Sequence, residues 1–236
     1  MKGEEWYRDE ETAESYDPKR FSGAGGEHIN SSERESVREV LGDVEGKKIL
    51  DVASGTGRFS LLAAEMGADV VSCDISKPML KIAREKASEK GLESKITFLK
   101  TDAENLPFED ETFDIVMAIR FVHLMVEEKP FLEEMKRVSR DRLVFDTFNL
   151  SSFRILYNFA LPMQSHLYTK KDIEDVAEDL GLTVESRIHD FVIPFGFYRH
   201  MPDLSAGFLK WIDRGAQKRR FWKKLASVTY WSLSKE

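Results

Sequence analysis

Short apolar runs alternate with amphipathic stretches through the first two thirds of the chain. Five runs have the length of buried strands, at residues 47–53, 68–75, 96–103, 113–121 and 141–149. Helical spacing of apolar residues fills 59–66, 76–91 and 127–140 between them. Strands that alternate with helices form a mostly parallel sheet with helices on both faces. We therefore predict an α/β, doubly wound fold.

The ends of the chain add further elements to this core. A helix is predicted over 31–44, and Thr169 and Asp172 resemble a capping box that opens a helix ending at Gly181. The apolar runs 183–196 and 225–236 are predicted to be strands, separated by a helical stretch around 203–224. Three glycines, at positions 23, 25 and 26, predict a mobile or tightly turned segment before the first helix.

Composition limits the domain count and the kind of partner. The 236 residues, 42% of them hydrophobic, suit one core, so we predict a single domain over 1–236. A net charge of −7 argues against general affinity for nucleic acid, and the basic stretch 218–224 is better explained as a solvated helix face. The only cysteine, Cys73, is expected to be buried filler. With no signal peptide and no membrane-length apolar run, a cytoplasmic location is predicted.

In a doubly wound sheet, ligands bind beyond the carboxyl ends of the strands. The segment "ILDVASGTGRFS" (49–60) ends the first strand with Asp51 and continues into Gly55-Thr56-Gly57. Glycine removes the side chain that would keep a ligand from the backbone, and the helix that follows presents free N–H groups. This loop predicts close approach of a ligand, which the motif alone does not identify.

The second and third strands also end in polar residues. Asp74 can accept two hydrogen bonds from a ribose diol. Ile75 and Met79 follow it and can cover an adenine face, although Met79 is as well explained as core. Asp102 can accept a hydrogen bond from an exocyclic amine, and the Ala103 N–H can reach a ring nitrogen. A nucleoside ligand is therefore predicted.

Arg120 and His123 follow the fourth strand, across the crevice from the glycines. His123 can act as a general base or hydrogen-bond a substrate, and it can equally cap the strand end. Arg120 can bind a cofactor carboxylate, line the substrate site or form a structural ion pair. These alternatives stay open at this point.

Together, the segments 51–57, 74, 102–103 and 106–116 resemble the class I S-adenosylmethionine-dependent methyltransferases. The segment "YDPKRFSGAGGEHI" (16–29) resembles the N-terminal lid of their small-molecule group, which includes ubiquinone and menaquinone biosynthesis enzymes. The resemblance implies a Rossmann-like, seven-stranded sheet with its last strand antiparallel, and S-adenosylmethionine as cofactor. It implies a cofactor site formed by Asp51, Ala53, Ser54, Gly55, Thr56, Gly57, Asp74, Ile75, Met79, Asp102, Ala103 and Arg120.

Two positions depart from the family pattern. Ala53 replaces a glycine that often precedes this loop, which is a small change. Arg120-Phe121-Val122 replaces the Arg-Asn-Val of many quinone-type enzymes, which argues against a quinone-precursor acceptor.

A methyl acceptor is expected between the N-terminal arm, the end of the fourth strand and an insertion at 151–168 after the fifth strand. Candidate acceptor residues are Tyr16, Arg20, Phe21, His123, Tyr157, His166 and Tyr168, and His123 is the only candidate catalytic residue. The aromatic segment Phe195, Phe197, Tyr198 and His200 either closes the same cavity or belongs to the core or a dimer contact. No metal is predicted.

The predicted domain has three parts: an N-terminal arm and lid at 1–45, a cofactor-binding half at 46–150 and a substrate-side half at 151–236. The predicted partner is a small-molecule acceptor, and the chain is expected to be a monomer or homodimer. Three other functions remain as alternatives: an NAD-dependent oxidoreductase, a non-catalytic partner protein and an RNA methyltransferase. The oxidoreductase is disfavoured because Ser60 stands where the dinucleotide-binding fingerprint has its third glycine.

Overall fold

The computed structural model describes residues 7–125, 128–152, 154–155, 165–193, 195–200, 215 and 225–235. Seven strands form one sheet in the order β3-β2-β1-β4-β5-β7-β6. Their bounds are β1 (Lys48–Val52), β2 (Asp69–Asp74), β3 (Ile96–Lys100), β4 (Phe113–Ala118), β5 (Ser139–Phe148), β6 (Leu182–Asp190) and β7 (Val228–Lys235). The first five strands pair in parallel, and β7 is antiparallel to both β5 and β6. The predicted fold class is confirmed.

Helices cover both faces of this sheet. Within the described residues they are α1 (Glu10–Phe21), α2 (Gly23–Leu41), α3 (Arg58–Glu65), α4 (Lys77–Glu89), α5 (Glu128–Val138), α6 (Lys170–Asp179) and α7 (Phe195–His200). Because successive strand residues point to opposite faces, Ile49 of β1 packs in one core cluster with α2 and α3. Its neighbour Leu50 packs in the other cluster, with α5 and α6.

The helix starts follow their local sequence. Ser76 caps α4 by accepting a hydrogen bond from the Met79 N–H at 3.2 Å, and Pro78 lies in the first turn, where its missing N–H is not needed. The predicted capping box between Thr169 and Asp172 is present at the start of α6. The Ser76 cap thus begins α4 directly after Asp74, the last residue of β2.

The predicted tight turn is present at Gly23, which has a φ of 67° between the end of α1 at Phe21 and the start of α2. Gly25 and Gly26, in contrast, are helical residues of α2, which runs to Leu41. A Cβ at Gly25 would lie 1.9 Å from the Tyr198 carbonyl oxygen, and one at Gly26 would lie 2.4 Å from the Phe21 carbonyl carbon. Glycine is therefore needed here for close packing of helices. The spacing of apolar residues fails to show this, since a glycine that allows close approach looks the same as one that turns the chain.

The strand predicted over 183–196 extends beyond the C-terminal end of the observed strand. β6 stops at Asp190, Phe191 adopts a left-handed φ of 56°, and α7 begins at Phe195. The Asp190 carboxylate accepts a hydrogen bond from the Phe191 N–H at 2.8 Å, which turns the chain away from the sheet. Apart from Gly215, the predicted helix around 203–224 and the basic stretch 218–224 lie outside the described residues. In the part of the chain that is described, no helix is long and apolar enough to cross a membrane.

Candidate active site

A cavity of about 360 Å³ opens beyond the carboxyl ends of the parallel strands. It contains most of the residues predicted for the cofactor: Ala53, Ser54, Gly55, Thr56, Asp74, Ile75, Met79, Asp102, Ala103 and Arg120. It also contains four residues predicted for the acceptor: Tyr16, Arg20, Phe21 and His123. The strand ends that are far apart in sequence therefore meet around one space.

The two glycines of the first loop serve different purposes. Gly55 has a φ of 55°, and a Cβ added there would meet nothing within 4 Å, so it would project into open space at the cavity wall. Gly57 has a φ of 74°, and its Cβ would lie 2.8 Å from the Ala83 Cβ of α4. Gly55 therefore leaves open space at the cavity wall, whereas Gly57 allows α4 to pack against the loop. Gly57 is not among the cavity-lining residues.

Asp74 is fixed at the cavity wall by backbone hydrogen bonds. Its Oδ2 accepts from the Gly55 N–H and its Oδ1 from the Ser76 N–H, both at 2.8 Å. Burial raises the pKa of Asp74, and these hydrogen bonds act in the opposite direction. Each carboxylate oxygen retains a second lone pair, so the group can still accept hydrogen bonds from a diol.

Asp51 lies behind the loop and does not line the cavity. Ser60 Oγ donates to Asp51 Oδ2 at 2.5 Å and is 3.0 Å from Ser72 Oγ, which is 2.8 Å from Ser54 Oγ. Burial raises the pKa of Asp51 to about 7, although the hydrogen bond from Ser60 acts to lower it. Ser60, which replaces the third glycine of a dinucleotide fingerprint, thus joins the buried acid to the cavity wall.

Helix α1 covers the cavity as a lid. Tyr7, just before it, lines the cavity, and its carbonyl oxygen accepts a hydrogen bond from Ser76 Oγ at 2.6 Å. Asp17 accepts from Thr56 Oγ1 at 3.0 Å and forms an ion pair with Lys86 of α4. The predicted lid is therefore fastened to the glycine loop and to α4. Tyr7 was not predicted, because it lies in a polar arm without a motif.

A buried ionic network lies on the opposite wall. Glu33 of α2 accepts from Arg58 Nη2 and from Arg120 Nε, both at 2.8 Å, and Arg120 Nη1 lies 3.2 Å from Asp146 Oδ2. Burial alone would raise the pKa of Glu33, but Arg120 and Arg58 lower it to about 2. The structure thus shows Arg120 in an ion pair while its side chain also lines the cavity. Glu33 was not predicted, since its position in a polar helix carries no motif.

His123 lies beside this network, with its ring centroid 4.2 Å from that of Phe148. Its Nδ1 is a buried nitrogen with no hydrogen-bond partner in the described structure. Burial lowers the pKa of His123 well below its usual value, and the nearby charges of Arg120, Arg154 and Arg20 lower it further. The imidazole is therefore neutral at physiological pH.

The remaining predicted acceptor residues lie elsewhere or outside the described residues. His166 stacks on Tyr168 at 4.4 Å, and neither residue is among those lining the cavity. Tyr168 is buried in the core cluster beside α5 and α6. Tyr157 and the side chain of His200 lie outside the described residues. From the late aromatic segment, Phe195 lines the cavity, while Phe197 is exposed and Tyr198 is buried.

The comparisons with known proteins agree with this site. Residues 49–142 match the family described as a methyltransferase domain. The chain is 37% identical over 139 residues to a demethylmenaquinone methyltransferase of Paenarthrobacter aurescens, an alignment that covers 58% of the chain and only about half (49%) of that protein. It is 34% identical over 185 residues to a ubiquinone/menaquinone biosynthesis C-methyltransferase of Shewanella sp., covering 70% of the chain and 73% of that protein.

Solved structures share the fold at lower identity. Magnesium protoporphyrin IX methyltransferase of Synechocystis superposes with a TM-score of 0.65 at 16% identity, over 89% of this chain and 87% of that one. A methyltransferase of Thermotoga maritima, described as a possible histamine N-methyltransferase, gives a TM-score of 0.68 at 17% identity, over 98% and 99% of the two chains.

The fold and the strand-end site define a nucleoside-binding α/β enzyme. The chain belongs to the class I S-adenosylmethionine-dependent methyltransferases. The predicted activity class and the predicted cofactor are confirmed, and the three competing functions are not supported. The residues present fit this cofactor, because the space above Gly55 is open and the Asp74 carboxylate faces the same cavity.

Proposed function

We propose that the chain methylates a small acceptor with a flat, apolar body, which binds on the β4–β5 side of the cavity. The observation that carries this proposal is the continuity of one cavity. It runs from Gly55 and Asp74 to a wall that contains Phe148 and Phe195. A mostly apolar wall with a few polar groups is typical of small-molecule sites. Two relatives are methyltransferases of quinone biosynthesis, and their planar acceptors agree in shape with this proposal.

Separate groups of residues would hold the two ligands. The cofactor would be held by the 53–56 loop, by Asp74 at its ribose, and by Ile75, Met79, Asp102 and Ala103 around its adenine. When bound, it supplies a methyl group already activated by a positively charged sulfur. The task of the chain is then to hold the acceptor in line with that methyl group and to exclude water, and alignment of this kind is worth about 7–11 kcal/mol.

His123 is proposed to orient the acceptor by hydrogen bonding. With a pKa well below its usual value, His123 is neutral and is a weak base towards a hydroxyl proton. Its ring nitrogens can still donate one hydrogen bond and accept another. Of the predicted alternatives for His123, we therefore propose hydrogen bonding to the acceptor and not general-base catalysis.

The test uses the whole chain. Calorimetric titration should show binding of S-adenosylhomocysteine and no binding of NADH. Incubation with a methyl-labelled donor and a panel of phenols, quinols and aliphatic amines should then label the aromatic compounds. Label in the amines alone would contradict the proposed acceptor class, and failure to bind S-adenosylhomocysteine would contradict the whole assignment.

We also propose that the protein acts in the cytoplasm. The support is the single cysteine, Cys73, which is buried and forms no disulfide. Fractionation of the source cells, with detection by antibody, tests this location.

A further inference from the structure

The cofactor side of the cavity is acidic. Asp74, the last residue of β2, lines it together with Asp102 and Glu104, which follow β3. S-adenosylmethionine carries a carboxylate at its amino-acid end, and like charges in a shared cavity repel it. The amino-acid end therefore needs a positive group among the residues that line the cavity.

Four arginines line the cavity, and three of them have partners away from the cofactor side. Arg58 and Arg120 both form ion pairs with Glu33, which is buried between them. Arg154 packs on the β4–β5 side, with its guanidinium carbon 3.5 Å from the centroid of the Phe148 ring. The fourth arginine belongs to the lid helix α1.

This fourth arginine, Arg20, has neutral neighbours. Its guanidinium carbon lies 4.2 Å from the centroid of the Tyr16 ring, and its side chain hydrogen-bonds Tyr7. Burial raises the pKa of Tyr7, so the Tyr7 hydroxyl is uncharged at neutral pH. The ion pairs between the lid and α4 use Glu10 and Asp17, and within the described residues no ion pair includes Arg20. Because both tyrosines line the cavity, they hold an arginine of undiminished charge at its wall.

The contacts of α1 place Arg20 over the glycine loop. Asp17, one turn earlier on the helix, accepts a hydrogen bond from Thr56 Oγ1 at 3.0 Å. Phe21, the next residue after Arg20, lies with its ring centroid 3.7 Å from the guanidinium carbon of Arg58, directly after the loop. The ribose and adenine are assigned to the ends of β2 and β3, so this loop is the part of the site left for the amino-acid end.

We infer that Arg20 binds the carboxylate of the cofactor's amino-acid end and thereby fastens the lid over the cofactor. This inference rests on the placement of the cofactor under the proposed function. A guanidinium and a carboxylate can form two parallel hydrogen bonds, which recognise the shape of the group as well as its charge. Since Arg20 belongs to α1, the free energy of this contact also favours the closed position of the lid. A nucleoside that lacks the carboxylate would bind without fastening α1.

Calorimetric titration with two ligands tests the assignment. S-adenosylhomocysteine carries the carboxylate, whereas its decarboxylated analogue keeps the adenosine, the sulfur and the amine. Arg20→Met should weaken the binding of S-adenosylhomocysteine by at least about tenfold, because hydrogen bonds between charged groups are lost. The same variant should change the affinity for the decarboxylated analogue by less than about twofold. Arg20→Lys should give an intermediate loss, since the charge remains but the paired hydrogen bonds do not.

The matched control is Lys19→Met. Lys19 is also a cation in the last turn of α1, but it is exposed and does not line the cavity. This variant should leave the affinity for both ligands unchanged, and circular dichroism reports whether each variant is folded.

Hydrogen exchange of the backbone amides of α1 measures the lid directly. In the unmodified chain, saturating S-adenosylhomocysteine should slow this exchange more than the decarboxylated analogue does at saturation. In Arg20→Met, the two ligands should slow it equally, because neither can fasten the helix through this side chain.

Three results would overturn the inference: equal weakening of both ligands by Arg20→Met, no weakening of either, or equal slowing of lid exchange by both ligands in the unmodified chain. In each case, binding of S-adenosylhomocysteine by the unmodified chain would show that the placement of the cofactor stands and that only the role of Arg20 is wrong. If the unmodified chain bound neither ligand, the placement of the cofactor and the proposed function would be contradicted together.

Discussion

Replacement of Glu33 by glutamine should destabilise the protein far more than a surface change of the same kind. Glu33 is 3% exposed and neutralises Arg58 and Arg120. Its pKa falls from 4.5 to about 2 in the folded protein, which corresponds to about 3 kcal/mol in favour of the charged form. Removing one partner of a buried ion pair costs about 3–5 kcal/mol, because the remaining charge stays buried. We therefore expect Glu33→Gln to lower the free energy of unfolding by about 3 kcal/mol at neutral pH.

Urea unfolding, followed by circular dichroism, measures this difference. The matched control is Glu35→Gln on the same helix, because Glu35 is 73% exposed in its pair with Arg38 and should contribute less than about 0.5 kcal/mol. The pH dependence provides a second measurement. Since the folded pKa of Glu33 is depressed, its stabilisation is complete above about pH 4.5 and should fall away towards about pH 2.

Two outcomes would refute this reasoning. A difference between Glu33→Gln and Glu35→Gln below about 0.5 kcal/mol would mean that the buried pairs contribute no more than exposed ones. A difference that vanishes well above pH 4.5 would mean that the pKa of Glu33 is not depressed in the folded state.

Three further changes test the cofactor side. Asp74→Asn should weaken S-adenosylhomocysteine binding by at least about tenfold in calorimetry, because hydrogen bonds to a charged group are lost; unchanged affinity would remove the ribose role. Gly55→Val should abolish this binding, whereas Gly91→Val, which also has a positive φ and open space, should lose stability only. Lys86→Met should speed dissociation of S-adenosylhomocysteine in stopped-flow measurements by releasing the lid. The control is Lys81→Met, because the exposed Lys81 pairs with Glu10 of the same lid. Equal dissociation rates in the two variants would contradict the role of the Asp17–Lys86 ion pair in holding the lid closed.

The strand-end motifs were predictable because each depends on local sequence. A buried strand followed by a glycine or an acid marks the carboxyl edge of a parallel sheet. The sequence alone therefore predicts that Gly55, Asp74 and Asp102 lie near a ligand, and all three line the cavity. The capping box at Thr169 was predictable for the same reason. The glycines at 25 and 26 were not, since their requirement comes from Tyr198 and Phe21, which approach through tertiary packing.

The buried ionic network around Glu33 could not be predicted from local sequence. Glu33 and Arg120 are 87 residues apart, and each occurs in a stretch that looks like ordinary surface or strand end. Only the packing of α2 across the sheet brings the two together, and no spacing rule connects them. Arg154 was missed in the same way, because the aromatic residues of the 151–168 insertion carry the stronger pattern and the arginine among them belongs to no motif.

The backbone conformation of Arg120 is tied to the ionic network that its side chain forms. Arg120 has a φ of 66°, and a left-handed conformation costs a side-chain-bearing residue about 1–2 kcal/mol. Asp146 accepts hydrogen bonds from both the backbone N–H and the guanidinium of Arg120, and it thereby holds this conformation in place. In this conformation the Arg120 guanidinium contacts both Glu33 and Asp146, so the two carboxylates offset its charge within the protein.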